Sequence, residues 1–149
     1  MLRSFGLALA AGLGAVTLAN PQTAQSPARI DVVATDYAFG VLPAVIAAGP
    51  TVFTFANQGK VQHEMGIVRL KDGVTVDDLI KVMKEGGRRR DVVERSVGIL
   101  IAGPGKSPDG KLLVELIRGA SYVVLCNLKD TPDSPGHTML GMYKTFRPQ

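Results

Sequence analysis

The sequence predicts an all-β domain, an antiparallel β-sandwich with one inserted α-helix. Short runs rich in β-branched and aromatic residues recur along the chain, and turn residues such as those at 49–50 and 71–73 separate them. One stretch instead has apolar residues at helical spacing. The segment 28–149 has the length of one domain with a single hydrophobic core.

Six runs are predicted to be strands. The run at 51–56 is the clearest, since it contains only β-branched, aromatic and small residues between two turn signals. The full set covers residues 30–35, 51–56, 63–70, 111–117, 121–126 and 142–146. Several short strands separated by turns are typical of a sandwich.

The predicted helix covers residues 75–85. Leu79 and Ile80 belong to its apolar face, and Thr75 with Asp78 resembles a capping box in which Asp replaces Glu. Two glycines at 86–87 supply the stop. Acidic residues near the start and lysines near the end also suit the helix dipole.

Residues 1–19 are predicted to be an export signal. Arg3 supplies a positive charge before an uncharged run of apolar and small residues, and this run is shorter than the roughly 20 residues of a spanning helix. Cleavage is expected after Ala19 or as late as 24–26, and an uncleaved N-terminal anchor is the alternative. Cleavage predicts a periplasmic or extracellular protein without a stable membrane span.

Composition argues against nucleic-acid binding. The formal net charge is only +4, aromatic residues make up 5% of the chain, and they do not alternate with basic residues. The single cysteine, Cys126, has no partner for an internal disulfide. It therefore forms a disulfide with another molecule, remains a free thiol or binds a metal ion.

A set of soft donors surrounds this cysteine in the sequence. Cys126, His137 and Met142 follow one another near the C-terminus, and the only other histidine is His63. Two imidazoles, one thiolate and a weak axial thioether are the ligand set of a mononuclear blue-copper electron-transfer site.

Each of these residues also has an ordinary interpretation when taken alone. His63 is then a hydrogen-bonded strand histidine, Cys126 a small buried apolar residue and Met142 a core residue. Met65 and Met139 are further thioethers near the histidines.

The pattern resembles the cupredoxins, the blue type 1 copper proteins such as plastocyanin, amicyanin and azurin. Cys126 ends an apolar run, four residues separate His137 from Met142, and His63 follows an Asn-Gln-Gly turn. The resemblance implies a Greek-key sandwich with His63, Cys126 and His137 as equatorial copper ligands and Met142 as the axial ligand. It also implies an exported one-electron carrier without enzymatic activity, in which the edge of His137 is exposed.

Two features depart from the family pattern. Ten residues lie between Cys126 and His137, where common members have only a few, and Glu64 follows the first histidine where the family often has Asn. The longer loop weakens the expected preorganisation of the site. The Glu64 carboxylate either adds negative charge near the metal or points to solvent.

Other functions remain open at this point. The same ligands would serve a copper-delivery module, and the fold would also serve a metal-free domain that binds a protein partner. A thiol enzyme using Cys126 and His137 is the weakest alternative, because no third group is positioned to orient the histidine. A redox protein partner is expected, and Arg88, Arg89 and Arg90 form either its docking surface or a solvated face.

Overall fold

Two four-stranded sheets build the part of the protein that the structure describes. The structure is a computed structural model that describes residues 26–149, so the predicted signal at 1–19 lies outside the described residues. Within 26–149 the strands are β1 (Ala28–Thr35), β2 (Ala38–Phe39), β3 (Gly49–Asn57), β4 (His63–Leu70), β5 (Val93–Ala102), β6 (Leu112–Leu116), β7 (Tyr122–Leu125) and β8 (Tyr143–Phe146).

The strand order is β2-β1-β3-β6 in the first sheet and β5-β4-β7-β8 in the second. All pairs are antiparallel except β1 and β3, which are parallel from Ala28 opposite Thr51 to Ala34 opposite Asn57. Parallel neighbours need a crossover connection, and the segment containing β2 supplies it. The predicted all-β sandwich is thus confirmed, with one parallel pair that the sequence did not predict.

The six predicted strands form within one or two residues of their predicted bounds. Strand β5 was not predicted. It is an edge strand with two register irregularities against β4, its polar start at Glu94 breaks the apolar alternation, and Gly98 lies in its middle. A Cβ at Gly98 would approach the Leu112 side chain to 2.9 Å, so this glycine permits β5 to pass close to β6.

The predicted helix is α1 (Val76–Lys84), which connects β4 to β5. The capping box is present: the Thr75 hydroxyl accepts a hydrogen bond from the Asp78 backbone N–H at 3.2 Å, and the Asp78 carboxylate accepts one from the Thr75 N–H at 2.9 Å. Leu79 is fully buried on the outer face of the second sheet, in a cluster with Val68 and Val123. The helix therefore covers this face.

The main core lies between the sheets. Strands β4 and β7 alternate, so that Met65, Ile67, Tyr122 and Val124 point into the sandwich while their neighbours point to α1. Their apolar partners on the first sheet include Val32, Phe53 and Phe55. The second sheet is thus buried on both faces at its centre, which gives a rigid support for its end. No helix within residues 26–149 is both long and apolar enough to cross a membrane.

Candidate metal centre

The end of the second sheet brings three of the four predicted ligands together. His63 is the first residue of β4, Cys126 directly follows β7, and His137 opens the 3₁₀ turn His137–Leu140. Because Gly66 lies opposite Leu125 in the antiparallel β4–β7 pair, the start of β4 and the residues after β7 meet at the same end of the sheet. His63, Cys126 and His137 are the one cluster of three metal-ligating side chains in the described part of the chain.

The donor atoms of this cluster have the spacing of a three-coordinate site. The Nδ1 atoms of His63 and His137 are 3.2 Å apart, and the Cys126 Sγ lies 3.9 Å from the first and 3.4 Å from the second. Metal–nitrogen bonds of about 2.0 Å and a metal–sulfur bond of about 2.3 Å in a trigonal plane separate donors by about 3.5 Å and about 3.7 Å. The arrangement therefore fits a metal ion without a large displacement.

Met142 lies next to this cluster through its backbone. Its N–H donates to the His137 carbonyl at 3.0 Å, and its carbonyl accepts from the Cys126 N–H at 3.3 Å. Its side chain is fully buried in the same core cluster as Cys126, as is that of Met65, whereas Met139 is partly exposed. Axial ligation by Met142 stays a prediction.

Glu64 ties together the segments that carry His63 and Cys126. Its Oε1 accepts hydrogen bonds from the Asn127 backbone N–H at 2.9 Å and from the Asn127 side-chain amide at 3.1 Å. The backbone N–H of Glu64 donates to the Cys126 Sγ at 3.3 Å. Glu64 is only 6% exposed, which rules out the alternative that its carboxylate points to solvent.

The expected exposed edge of His137 is wrong. This residue is 1% exposed because the long loop after Cys126 folds back over it. The Asp130 Oδ1 lies 3.1 Å from the His137 Nε2, and the Tyr37 hydroxyl donates to the Asp130 Oδ2 at 2.5 Å. The Tyr37 ring also meets the His137 ring edge-on, with centroids 5.0 Å apart. Sequence reasoning assigned no role to Asp130, which lies in the loop before His137, or to Tyr37, which lies in the distant turn between β1 and β2. The expectation that no third group orients the histidine is therefore wrong, since Asp130 does so.

The outer nitrogen of His63 has a different environment. Its Nε2 finds no hydrogen-bond partner among residues 26–149, and the nearest carboxylate oxygen, Oδ1 of Asp36, is 3.8 Å away. Gly59 packs against this edge. A Cβ at that position would lie 3.0 Å from the His63 Nε2 and 2.5 Å from the Asp36 oxygen. Only glycine therefore leaves the ring and Asp36 in place.

Burial sets the protonation preferences of the cluster. Loss of solvent, followed by repulsion from His137, lowers the pKa of His63 and favours the neutral imidazole that binds metals. Burial raises the pKa of the Cys126 thiol, and the hydrogen bond from the Glu64 N–H offsets part of that effect. Because burial disfavours an uncompensated thiolate, Cys126 would lose its proton here only beside a cation, so the chemistry of the donor set fits a bound metal ion.

The predicted basic patch lies elsewhere. Arg88, Arg89 and Arg90 lie two residues before β5, which begins at Val93 opposite Leu70. That is the end of β4 remote from His63, about 23 Å away at the usual rise of about 3.3 Å per residue. A docking surface there would orient a partner without touching the metal centre.

Comparisons with known proteins support this geometry at the level of the fold. No family model matches the chain, and no curated protein matches it. Among solved structures, dithionite-reduced auracyanin from Roseiflexus castenholzii is 18% identical with a TM-score of 0.54, and the match covers 84% of this chain and 99% of that chain. Auracyanin B gives the same identity and TM-score, with 84% and 91% covered.

Auracyanin A, described as a blue copper protein from Chloroflexus aurantiacus, is 17% identical with a TM-score of 0.52, and 83% of this chain and 100% of that chain are covered. At so low a sequence identity, the structural similarity shows a shared fold and nothing further. The chain has the cupredoxin fold that the resemblance implied.

Proposed function

We propose that this protein binds one copper ion and carries single electrons. The observation that carries the proposal is the buried cluster of two imidazole nitrogens and one sulfur, already at the mutual distances of a trigonal site. This donor set is the one that blue-copper sites use. The similarity in fold to a protein described as a blue copper protein supports the same assignment.

Copper, when bound, supplies reversible one-electron exchange between its cuprous and cupric forms. Cys126 offers the soft sulfur that the reduced ion favours, and His63 and His137 offer the nitrogens that suit the oxidised ion. Met142 is proposed as the weak axial donor. Because the sandwich and the backbone hydrogen bonds hold all of these donors, a change of charge requires little rearrangement, which is the requirement for fast electron transfer.

The anchored loop favours an electron carrier over a copper-delivery module. Delivery by ligand exchange requires the segment between Cys126 and His137 to open. That segment is held to other elements by Tyr37 donating to Asp130 and by the Asn127 N–H donating to Glu64 at 2.9 Å. Within the segment, the His137 N–H donates to the Leu128 carbonyl at 2.8 Å and the Thr131 N–H to the Ser134 hydroxyl at 3.1 Å.

Export and the redox partner belong to the proposal as well. The segment at 1–19 supports secretion to the periplasm or beyond, and one-electron transport implies a redox protein partner. The cluster of Arg88, Arg89 and Arg90 supports an acidic partner, since opposite charges steer association. No enzymatic activity is proposed.

The proposal is tested by adding copper to the purified metal-free protein and recording absorption and paramagnetic-resonance spectra. We expect uptake of one copper per chain and an intense thiolate-to-copper band that Cys126→Ser abolishes. Met142→Leu is expected to alter the spectrum and raise the reduction potential, whereas the matched variant of the buried core methionine, Met65→Leu, leaves both nearly unchanged.

Two results would contradict the assignment. Absence of stoichiometric copper uptake in equilibrium dialysis would favour the metal-free partner-binding domain. Copper uptake followed by ligand exchange to an acceptor protein, without reversible electron exchange, would favour the delivery module.

A further inference from the structure

The loop between Cys126 and His137 is long for this fold, and the structure shows where its extra length goes. It places the Asp130 carboxylate on the side of the His137 ring that faces away from the sulfur, with Oδ1 3.1 Å from Nε2. The other ring nitrogen, Nδ1, faces the Cys126 Sγ at 3.4 Å. The two nitrogens of one imidazole therefore have separate partners.

This contact determines which nitrogen carries the proton in the neutral ring. A carboxylate accepts a hydrogen bond, so it favours the tautomer with the proton on Nε2 and leaves the Nδ1 lone pair free toward the sulfur and His63. A carboxylate on the outer nitrogen of a metal-binding histidine also makes the ring a stronger donor and fixes its orientation.

The Asp130 carboxylate is itself held in place. Tyr37 donates from its hydroxyl to the second carboxylate oxygen at 2.5 Å, and its ring packs edge-on against His137. Tyr37 stands in the turn between β1 and β2 with a positive φ of 58°, a backbone conformation uncommon for a bulky residue. A turn of the first sheet thus supports, through Tyr37, the loop that follows β7 in the second sheet.

His63 provides an internal comparison. Its outer nitrogen is also buried, but the nearest carboxylate oxygen is 3.8 Å away and forms no hydrogen bond with it. Asp36 is instead engaged by the Lys60 backbone N–H at 2.6 Å. Of the two histidines, only His137 has a carboxylate within hydrogen-bond distance of its outer nitrogen.

We propose that Asp130, held by Tyr37, is a positioning residue that fixes His137 in the Nε2–H tautomer and whose negative charge lowers the reduction potential of the centre. The effect on potential rests on the proposed copper function, whereas the effect on the tautomer does not. Asp130 lies on the far side of the ring from the sulfur, so it acts through His137 and is not itself a ligand.

Three variants of the full protein test this inference. Asp130→Asn keeps an oxygen acceptor but removes the charge, and Asp130→Ala removes both. Asp133→Asn is the matched control, because it removes the same charge from an exposed position in the same loop while the contact between Asp130 and His137 stays intact.

The first measurement needs no copper. Long-range proton–nitrogen NMR of the metal-free protein, above the ordinary titration range of imidazoles, is expected to show His137 with its proton on Nε2 in the wild type and in Asp133→Asn. In Asp130→Ala the signal is expected to shift toward a mixture of the two tautomers. An unchanged Nε2–H tautomer in Asp130→Ala would overturn the positioning role.

The second measurement is made on the copper-loaded protein. Asp130→Asn is expected to weaken cupric relative to cuprous binding about tenfold, which corresponds to a potential higher by about 59 mV. Asp130→Ala is expected to weaken copper binding by about 10- to 100-fold, as is usual for a lost partner of a ligand. A potential for Asp130→Asn equal to that of Asp133→Asn would overturn the role of the charge. A wild-type protein that takes up no copper would instead refute the proposed function.

Discussion

Glu64 is expected to contribute more to stability than an ordinary polar residue near a strand start. Substitution of Glu64 by Ala removes the two hydrogen bonds that its carboxylate accepts from Asn127. The backbone N–H of Asn127 is then left without that acceptor. Each hydrogen bond is worth about 0.5–1.5 kcal/mol, and an unsatisfied buried donor costs about 1–3 kcal/mol. Since these terms overlap and Asn127 is only partly buried, we expect Glu64→Ala to lower the free energy of unfolding by about 2–3 kcal/mol.

The matched variant is Glu64→Gln, which retains a carbonyl oxygen at nearly the same position. It is expected to cost less than about 1 kcal/mol, because that oxygen still accepts from Asn127. Urea unfolding of the metal-free protein measures both variants, with a constant slope m showing that the unfolded reference has not changed. If Glu64→Ala unfolds like the wild type, the tie between the two segments does not stabilise the fold. If Gln is as costly as Ala, the charge matters and the acceptor geometry does not.

Two further predictions concern the helix and the basic patch. Thr75→Ala should lower the free energy of unfolding by about 1 kcal/mol through loss of the cap. Hydrogen bonds from Thr75 lower the pKa of Asp78 in the folded protein below its ordinary value of 3.8. The stability that these bonds give is therefore complete above pH 3.8 and is lost as the pH falls through the lower pKa of the folded state. Urea titrations at a series of acidic pH values should therefore show that the free energy of unfolding falls less with falling pH in Thr75→Ala than in the wild type. The control Asp77→Asn should lose as much free energy of unfolding as the wild type does. An equal dependence of this free energy on pH in the wild type and Thr75→Ala would contradict the prediction. Replacing Arg88, Arg89 and Arg90 by Gln should slow association with an acidic redox protein and flatten its salt dependence in stopped-flow measurements, with Lys144→Gln as control. Unchanged rates would assign the patch to a solvated face.

The strands that sequence reasoning identified are those with a strong local pattern. The run at 51–56 and the run that begins at His63 are rich in strand-forming residues and bounded by turns, and their predicted ends lie within two residues of those of β3 and β4. The capping box of α1 was equally local. Strand β5 escaped because Gly98 and the charged start at Glu94 weaken its pattern, and its edge position does not require full alternation.

Features that depend on the path of the chain were not predictable in the same way. The parallel pairing of β1 with β3 follows from a crossover that no residue pattern indicates. Convergence of His63, Cys126 and His137 was expected because both histidines and the only cysteine stand where the cupredoxin pattern places its ligands. The cover of Tyr37 and Asp130 over His137 was not, since it joins two loops by side-chain contacts and reverses the exposed histidine edge that the resemblance implied.

The order of strands in the second sheet has a consequence for biosynthesis. Strand β4 carries His63 and can pair with β5 early, but its other neighbour, β7, emerges far later, as do Cys126, His137 and Met142. A growing chain that has passed β6 holds a single donor of the cluster. Such a chain lacks the sulfur and the second imidazole, so the three-donor cluster cannot assemble before the residues through His137 have been made.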